Sequence, residues 1–124
     1  MPKRKILIVE DDLDVLRGLS IRLKASGYLV VSATDAAWAT TVARKEKPDL
    51  VILDLGLPGG DGFLVIERLR SIMDVHIPII ILTVWDPAIN KKRAFNAGVE
   101  VFFQKPVDND EFLAAIKKTL GESG

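Results

Sequence analysis

The sequence predicts an α/β domain in which one parallel sheet lies between two layers of helices, and three observations carry that prediction. Five short apolar runs recur along the chain, they are rich in β-branched residues without alternation, and stretches of helical spacing separate them. Strands that are apolar at consecutive positions are buried on both faces, which is the signature of a parallel sheet covered by helices. At 124 residues the chain is the length of one domain, able to bury a single core without disulfides, and the whole of 1–124 reads as one unit.

The first run is Ile6 to Val9, followed by a helix with Val15, Leu19 and Leu23 on one face and Gly27 at its end. Leu29 to Val31 is the second strand, and an Ala-rich helix from about Asp35 to Lys45 stops before Pro48. Leu50 to Leu53 is the third strand, with Ile66, Leu69 and Met73 marking the third helix. Ile77 to Leu82 is the fourth, after which Asp86-Pro87 supplies an N-cap with proline at the first helical position, and Gly98 closes that helix. Val99 to Phe103 is the fifth. Asp108 with Glu111 resembles a capping box, and Phe112, Leu113, Ile116 and Leu120 face the core from the last helix. Five β-then-α units with right-handed crossovers make a three-layer sandwich, for which the flavodoxin-like strand order 2-1-3-4-5 is the natural solution. Trp38 is expected to pack the second helix on the sheet, and His76, in the loop before strand 4, is given no role.

Composition excludes several classes of function. Seventeen basic and seventeen acidic side chains balance, so a diffuse positive field for direct nucleic-acid binding is not expected. There is no cysteine for a thiolate nucleophile or a zinc site, and the single His76 cannot build a metal cluster. The basic start Met1-Pro2-Lys3-Arg4-Lys5 is followed by an apolar run too short for a secretory signal or a membrane span. A cytoplasmic protein without a membrane segment is expected.

In such a sheet the functional edge lies at the carboxyl ends of the strands. Glu10, Asp11 and Asp12 follow strand 1, Asp54 follows strand 3, Thr83 strand 4 and Lys105 strand 5. Each has a bland reading: helix N-terminus acids, a turn aspartate, a strand-end threonine, a solvated lysine. Together they put acids, a hydroxyl and an amine at successive ends of one edge. Clustered carboxylates behind apolar strands are costly unless a cation offsets them, and oxygen ligands alone point to Mg²⁺.

The chain resembles a response-regulator receiver domain of two-component signalling. Ile8-Val9-Glu10-Asp11-Asp12, Val51-Ile52-Leu53-Asp54-Leu55, Pro58-Gly59-Gly60-Asp61-Gly62, Ile81-Leu82-Thr83 and Gln104-Lys105-Pro106 match that family's motifs in order, over about residues 4–120. The resemblance implies that Asp54 takes a phosphoryl group from a histidine kinase or phosphotransfer protein. It implies that Asp11, Asp54 and the Gly56 carbonyl ligate Mg²⁺, with Glu10 acting through water. Thr83 and Lys105 would hold phosphoryl oxygens, and Thr83 with Phe102 would form the switch. It also implies a cis Lys105-Pro106 bond, no turnover of a separate substrate, and an output domain or a second copy as further partners.

Three positions depart from the common pattern. Val84 stands where a small residue is usual, Trp85 follows it, and Phe102 lacks a hydroxyl at the switch position. Trp85 cannot position water by charge and is expected to shield the site or to pack on the surface. A Mg²⁺-dependent phosphatase with an aspartate nucleophile would carry a second Asp where this chain has Gly56. An FMN binder would need a phosphate cradle after strand 1, where Glu10-Asp11-Asp12 repels phosphate.

Overall fold

The computed structural model describes residues 3–58, 62–72 and 76–122. The sequence expectations at Met1-Pro2, Gly59-Gly60-Asp61 and Met73, and the tail at 123–124, lie outside the described residues. Ten elements alternate: β1 (Lys5–Val9), α1 (Leu13–Ala25), β2 (Leu29–Ala33), α2 (Ala36–Glu46), β3 (Leu50–Leu53), α3 (Gly62–Ile72), β4 (Ile79–Thr83), α4 (Pro87–Asn96), β5 (Val101–Gln104) and α5 (Asn109–Thr119). All four strand pairings are parallel and the order is β2-β1-β3-β4-β5, as expected.

The caps at Asp86 and Asp108 fall where the sequence put them, and two more aspartates cap helices. Asp12, Asp35, Asp86 and Asp108 each accept backbone N–H groups that open α1, α2, α4 and α5. Gly27 and Gly98 take positive φ of 93° and 90° just past α1 and α4, a conformation that favours glycine.

The strands feed two cores through alternate side chains. Leu7, Val9, Val51, Leu53, Ile79 and Ile81 meet α2, α3 and α4 on one face, while Ile6, Ile8, Ile52 and Ile80 meet α1 and α5 on the other. On that second face Phe103 and Phe112 pack edge to face at 5.8 Å.

One expectation fails. Trp38 is 55 % exposed: the buried stripe of α2 is Ala36, Ala39, Val42 and Ala43, small residues that seat the helix too close for an indole. His76, given no role, meets Glu100 with Nε2 and Oε1 at 2.6 Å. Glu100 also accepts the Ile79 N–H, and Arg70 donates to the Ile77 and Gly98 carbonyls at 2.7 and 2.8 Å. These contacts close the pole of the sheet opposite the acidic edge, and no local pattern announces them. Arg70→Ala is expected to leave two buried carbonyls short of a donor and cost about 1–3 kcal/mol, measured by denaturant unfolding against Asp54 chemistry that should be unchanged.

Candidate functional site

Parallel register brings four strand ends level. Val9 pairs with Leu53, Leu53 with Ile81, Ile81 with Phe102 and Thr83 with Gln104. Asp54 N–H donates to the Val9 carbonyl and Lys105 N–H to the Thr83 carbonyl, so the residues just past the strands remain on the ladder. Glu10, Asp54, Thr83 and Lys105 are thereby held together, as the sequence predicts. Asp12 is not among them, because its side chain is spent capping α1.

The side chains form one connected group. Thr83 is fully buried and its Oγ1 donates to Asp54 Oδ1 at 2.7 Å. Gly56 N–H donates to the same oxygen at 3.2 Å. Lys105 Nζ meets Asp54 Oδ2 at 3.3 Å and makes a second, close ion pair with Glu10 Oε1. The Lys105-Pro106 peptide bond is cis. Carboxylate oxygens of Glu10, Asp11 and Asp54 lie within 4.8 Å of one another, with Asp11 exposed and the other two buried. Three hard oxygen donors, one of them open to solvent, fit Mg²⁺ with part of its shell left to water.

The two buried acids are not equivalent. Burial pushes the Glu10 carboxyl up to about 7, aided by the Asp54 charge and opposed by Lys105. Burial also opposes ionisation of Asp54, but the bonds from Thr83 and Gly56 and the Lys105 charge outweigh it and hold this carboxyl below its usual range. Glu10 therefore resists its charge and Asp54 keeps it. A carboxyl raised in the folded state contributes stability that is present below its unfolded pKa and lost as pH climbs through about 7. In chelator, Glu10→Gln should melt close to wild type near pH 5 and higher near pH 8, by about 1–2 kcal/mol, read from paired thermal melts. A fixed offset at both pH values would contradict the assignment.

Two glycines in the loop after β3 matter for reasons the sequence did not disclose. A Cβ on Gly62 would lie 2.7 Å from the Asp54 carbonyl oxygen and from Leu55 Cα, while Gly62 N–H donates to the Leu55 carbonyl at 2.7 Å. α3 therefore starts in contact with the backbone that carries Asp54. A Cβ on Gly56 would lie 3.0 Å from Trp85 Nε1. The indole is half-buried against the α2, α3 and α4 face and roofs the loop next to Asp54. Val84 beside it is 66 % exposed. Phe102, the expected switch aromatic, is buried in the same face.

A doubly wound parallel sheet with acids, a buried hydroxyl and an ammonium joined at its carboxyl edge defines the receiver class of signalling domains. The chain belongs to the response regulator receiver domain family, whose profile matches residues 6–117. It is 38 % identical over 115 residues to the transcriptional regulatory protein KdpE of Mycobacterium tuberculosis, covering 93 % of this chain and 50 % of that protein. It is 37 % identical over 117 residues to the DNA-binding dual master transcriptional regulator RpaA of Synechocystis, covering 94 % of this chain and 48 % of the relative. Among solved structures, the BeF3-activated N-terminal receiver domain of RstA from Klebsiella pneumoniae superposes with a TM-score of 0.88 at 32 % identity, over 94 % of this chain and 98 % of that one. The chain spans about half the length of the curated relatives it matches.

The expectation that charge balance excludes nucleic acid is not borne out, since relatives of twice the length are regulators of transcription and one is named as DNA-binding. Net charge is a sum, and a sum of zero does not describe how the charges are distributed. No helix among the described residues is long and apolar enough to cross a membrane.

Proposed function

We propose that this receiver domain, spanning the whole chain 1–124, accepts a phosphoryl group on Asp54 from a phosphohistidine of a histidine kinase or phosphotransfer protein. The observation that carries the reading is the convergence of Thr83 Oγ1, Gly56 N–H and Lys105 Nζ on the two oxygens of one buried, ionised carboxylate. A carboxylate oxygen of Asp54 attacks phosphorus in line, the N–P bond breaks, and the electron pair leaves with the imidazole, which takes a proton. Thr83 and Lys105 then exchange their bonds to Asp54 for bonds to two phosphoryl oxygens, neutralising charge that the chemistry spreads there. Glu10, Asp11, Asp54 and the Gly56 carbonyl would hold Mg²⁺, which when bound neutralises phosphoryl charge beside them.

Movement of Thr83 is the output. Its hydroxyl also accepts the Trp85 N–H at 3.4 Å, so a shift of Thr83 pulls the β4–α4 loop, and Phe102 repacks by size alone. The domain promotes its own phosphorylation and dephosphorylation and turns over no separate substrate. We place it in the cytoplasm, with a transcriptional output domain as its effector, as the names of the relatives suggest. Incubation with acetyl phosphate and Mg²⁺ should add one phosphoryl mass per chain, lost with chelator. An adduct mapping to a peptide without Asp54 would defeat the reading.

The indole over Gly56 is expected to keep water from the aspartyl phosphate. Trp85→Ala should shorten the adduct lifetime severalfold after the phosphodonor is removed, with the initial phosphorylation rate changed less. An unchanged lifetime would assign Trp85 to packing.

A further inference from the structure

The neutral total hides an uneven distribution of paired and unpaired charge. Acids gather at the carboxyl edge of the sheet, where Asp11, Asp12, Asp35, Asp86 and Asp108 open helices or flank Asp54. The opposite pole carries acids too, but Glu100 is paired with His76 and Glu122 with the Tyr28 hydroxyl. There β1 begins beside the end of α2: Lys5 Nζ meets Glu46 at 3.4 Å, and Arg4 meets Asp49 at 4.0 Å. Those two carboxylates are thus already engaged. Lys3, Arg44, Lys45 and Lys47 around them are exposed, with no acidic partner at ion-pair distance among the described residues.

The bland account is that cations in a last turn complement the helix dipole. Arg44 and Lys45 answer to it. It does not account for Lys3, which precedes a strand, while Lys47 is the C-cap of α2, in a left-handed conformation with φ of 48° that turns the chain at this pole. α5 ends at the same pole. Glu122 accepts the Tyr28 hydroxyl at 2.7 Å, Tyr28 adjoins Leu29, and Leu29 pairs with Lys5.

We infer that the pole formed by Lys3, Arg44, Lys45 and Lys47 is a docking surface for the phosphate backbone of duplex DNA. The inference rests on the transcriptional output proposed above, because α5 leads toward this pole and so would hold an effector bound to DNA on the basic side. The acidic edge with Asp54 then faces away, open to the phosphodonor. Flexible lysines and an arginine without an aromatic platform suit backbone phosphates and not stacked single-stranded bases. Contact is sequence-independent, weak and steeply dependent on salt.

The test is fluorescence anisotropy of a labelled duplex of arbitrary sequence with the 124-residue chain. With about three phosphates neutralised, a fourfold rise in salt from about 50 mM should weaken binding about 40-fold. R44E/K45E/K47E, checked for folding by circular dichroism, should weaken binding at least tenfold at low salt and flatten the salt slope, while K91E/K92E on α4 should leave both unchanged. No binding by wild type at low salt, or equal loss in both variants, overturns the inference. So does a concentration-dependent rise in mass that the first variant removes, which would give the pole to a second copy of this chain. A chain that takes a phosphoryl group and ignores duplex sinks this inference alone; one that binds duplex and takes no phosphoryl group sinks the earlier reading alone.

Discussion

Asp54→Asn should leave the chain without any phosphoryl adduct, even in excess acetyl phosphate and Mg²⁺. An amide oxygen is a poor nucleophile, and the neutral side chain removes the charge that Lys105 and a bound cation would share. The fold should survive, because the amide oxygen can still accept from Thr83 and Gly56, so circular dichroism and the thermal melt are the controls. An adduct at the wild-type rate would remove Asp54 from the mechanism. The melt carries its own information. From sequence, two carboxylates about 4 Å apart would repel by up to roughly 4 kcal/mol at an effective dielectric of about 20, making Asp54→Asn the stabler protein without metal. The geometry argues otherwise: Lys105 stands between Glu10 and Asp54, and Thr83 and Gly56 bind the Asp54 charge. A carboxyl held below its usual range contributes stability that is present above its unfolded pKa and lost as pH falls through its folded one. At neutral pH in chelator, Asp54→Asn is therefore expected to melt no higher than wild type. The acid whose removal relieves the site is Glu10.

Among the described glycines, Gly62→Ala should be the most damaging substitution. The new Cβ would sit 2.7 Å from the Asp54 carbonyl oxygen and from Leu55 Cα, and both are backbone, which no rotamer change can move aside. Either α3 lifts off the loop or the loop shifts beneath Asp54. The expected cost is about 2–3 kcal/mol in unfolding free energy, in the range of overpacked cores, and phosphorylation should slow with it because Asp54 loses its alignment with Thr83 and Lys105. Gly18→Ala is the matched control: nothing lies within 4 Å of that Cβ, and it stands inside α1, where alanine is the better helix former. If Gly62→Ala matched Gly18→Ala in stability and rate, the contact between the start of α3 and the Asp54 backbone would not constrain the site.

The sequence by itself determined the architecture and most of the site. Five β-branched runs separated by helical spacing leave one economical topology, and the aspartate caps and the glycines after α1 and α4 set the boundaries within a residue or two. Since parallel strands all end at the same edge, residue types at strand ends sufficed to bring Glu10, Asp54, Thr83 and Lys105 together. These are properties of neighbours along the chain, where periodicity and capping act. What only the tertiary structure decided depends on neighbours across it. Glu10 and Asp11 are adjacent acids, yet the structure buries the first against Lys105 and leaves the second in water, and this separates an acid raised to about 7 from an exposed carboxylate. Trp38 and Trp85 are alike as residues, but small alanines seat α2 and leave Trp38 outside, while the absence of a side chain at Gly56 gives Trp85 its place over the loop. Arg70 finds two carbonyls from different loops that no spacing could foretell. Burial, and the pairing that burial demands, are set by elements far apart in sequence, because the free energy of a buried charge or ring depends on whatever surrounds it in space.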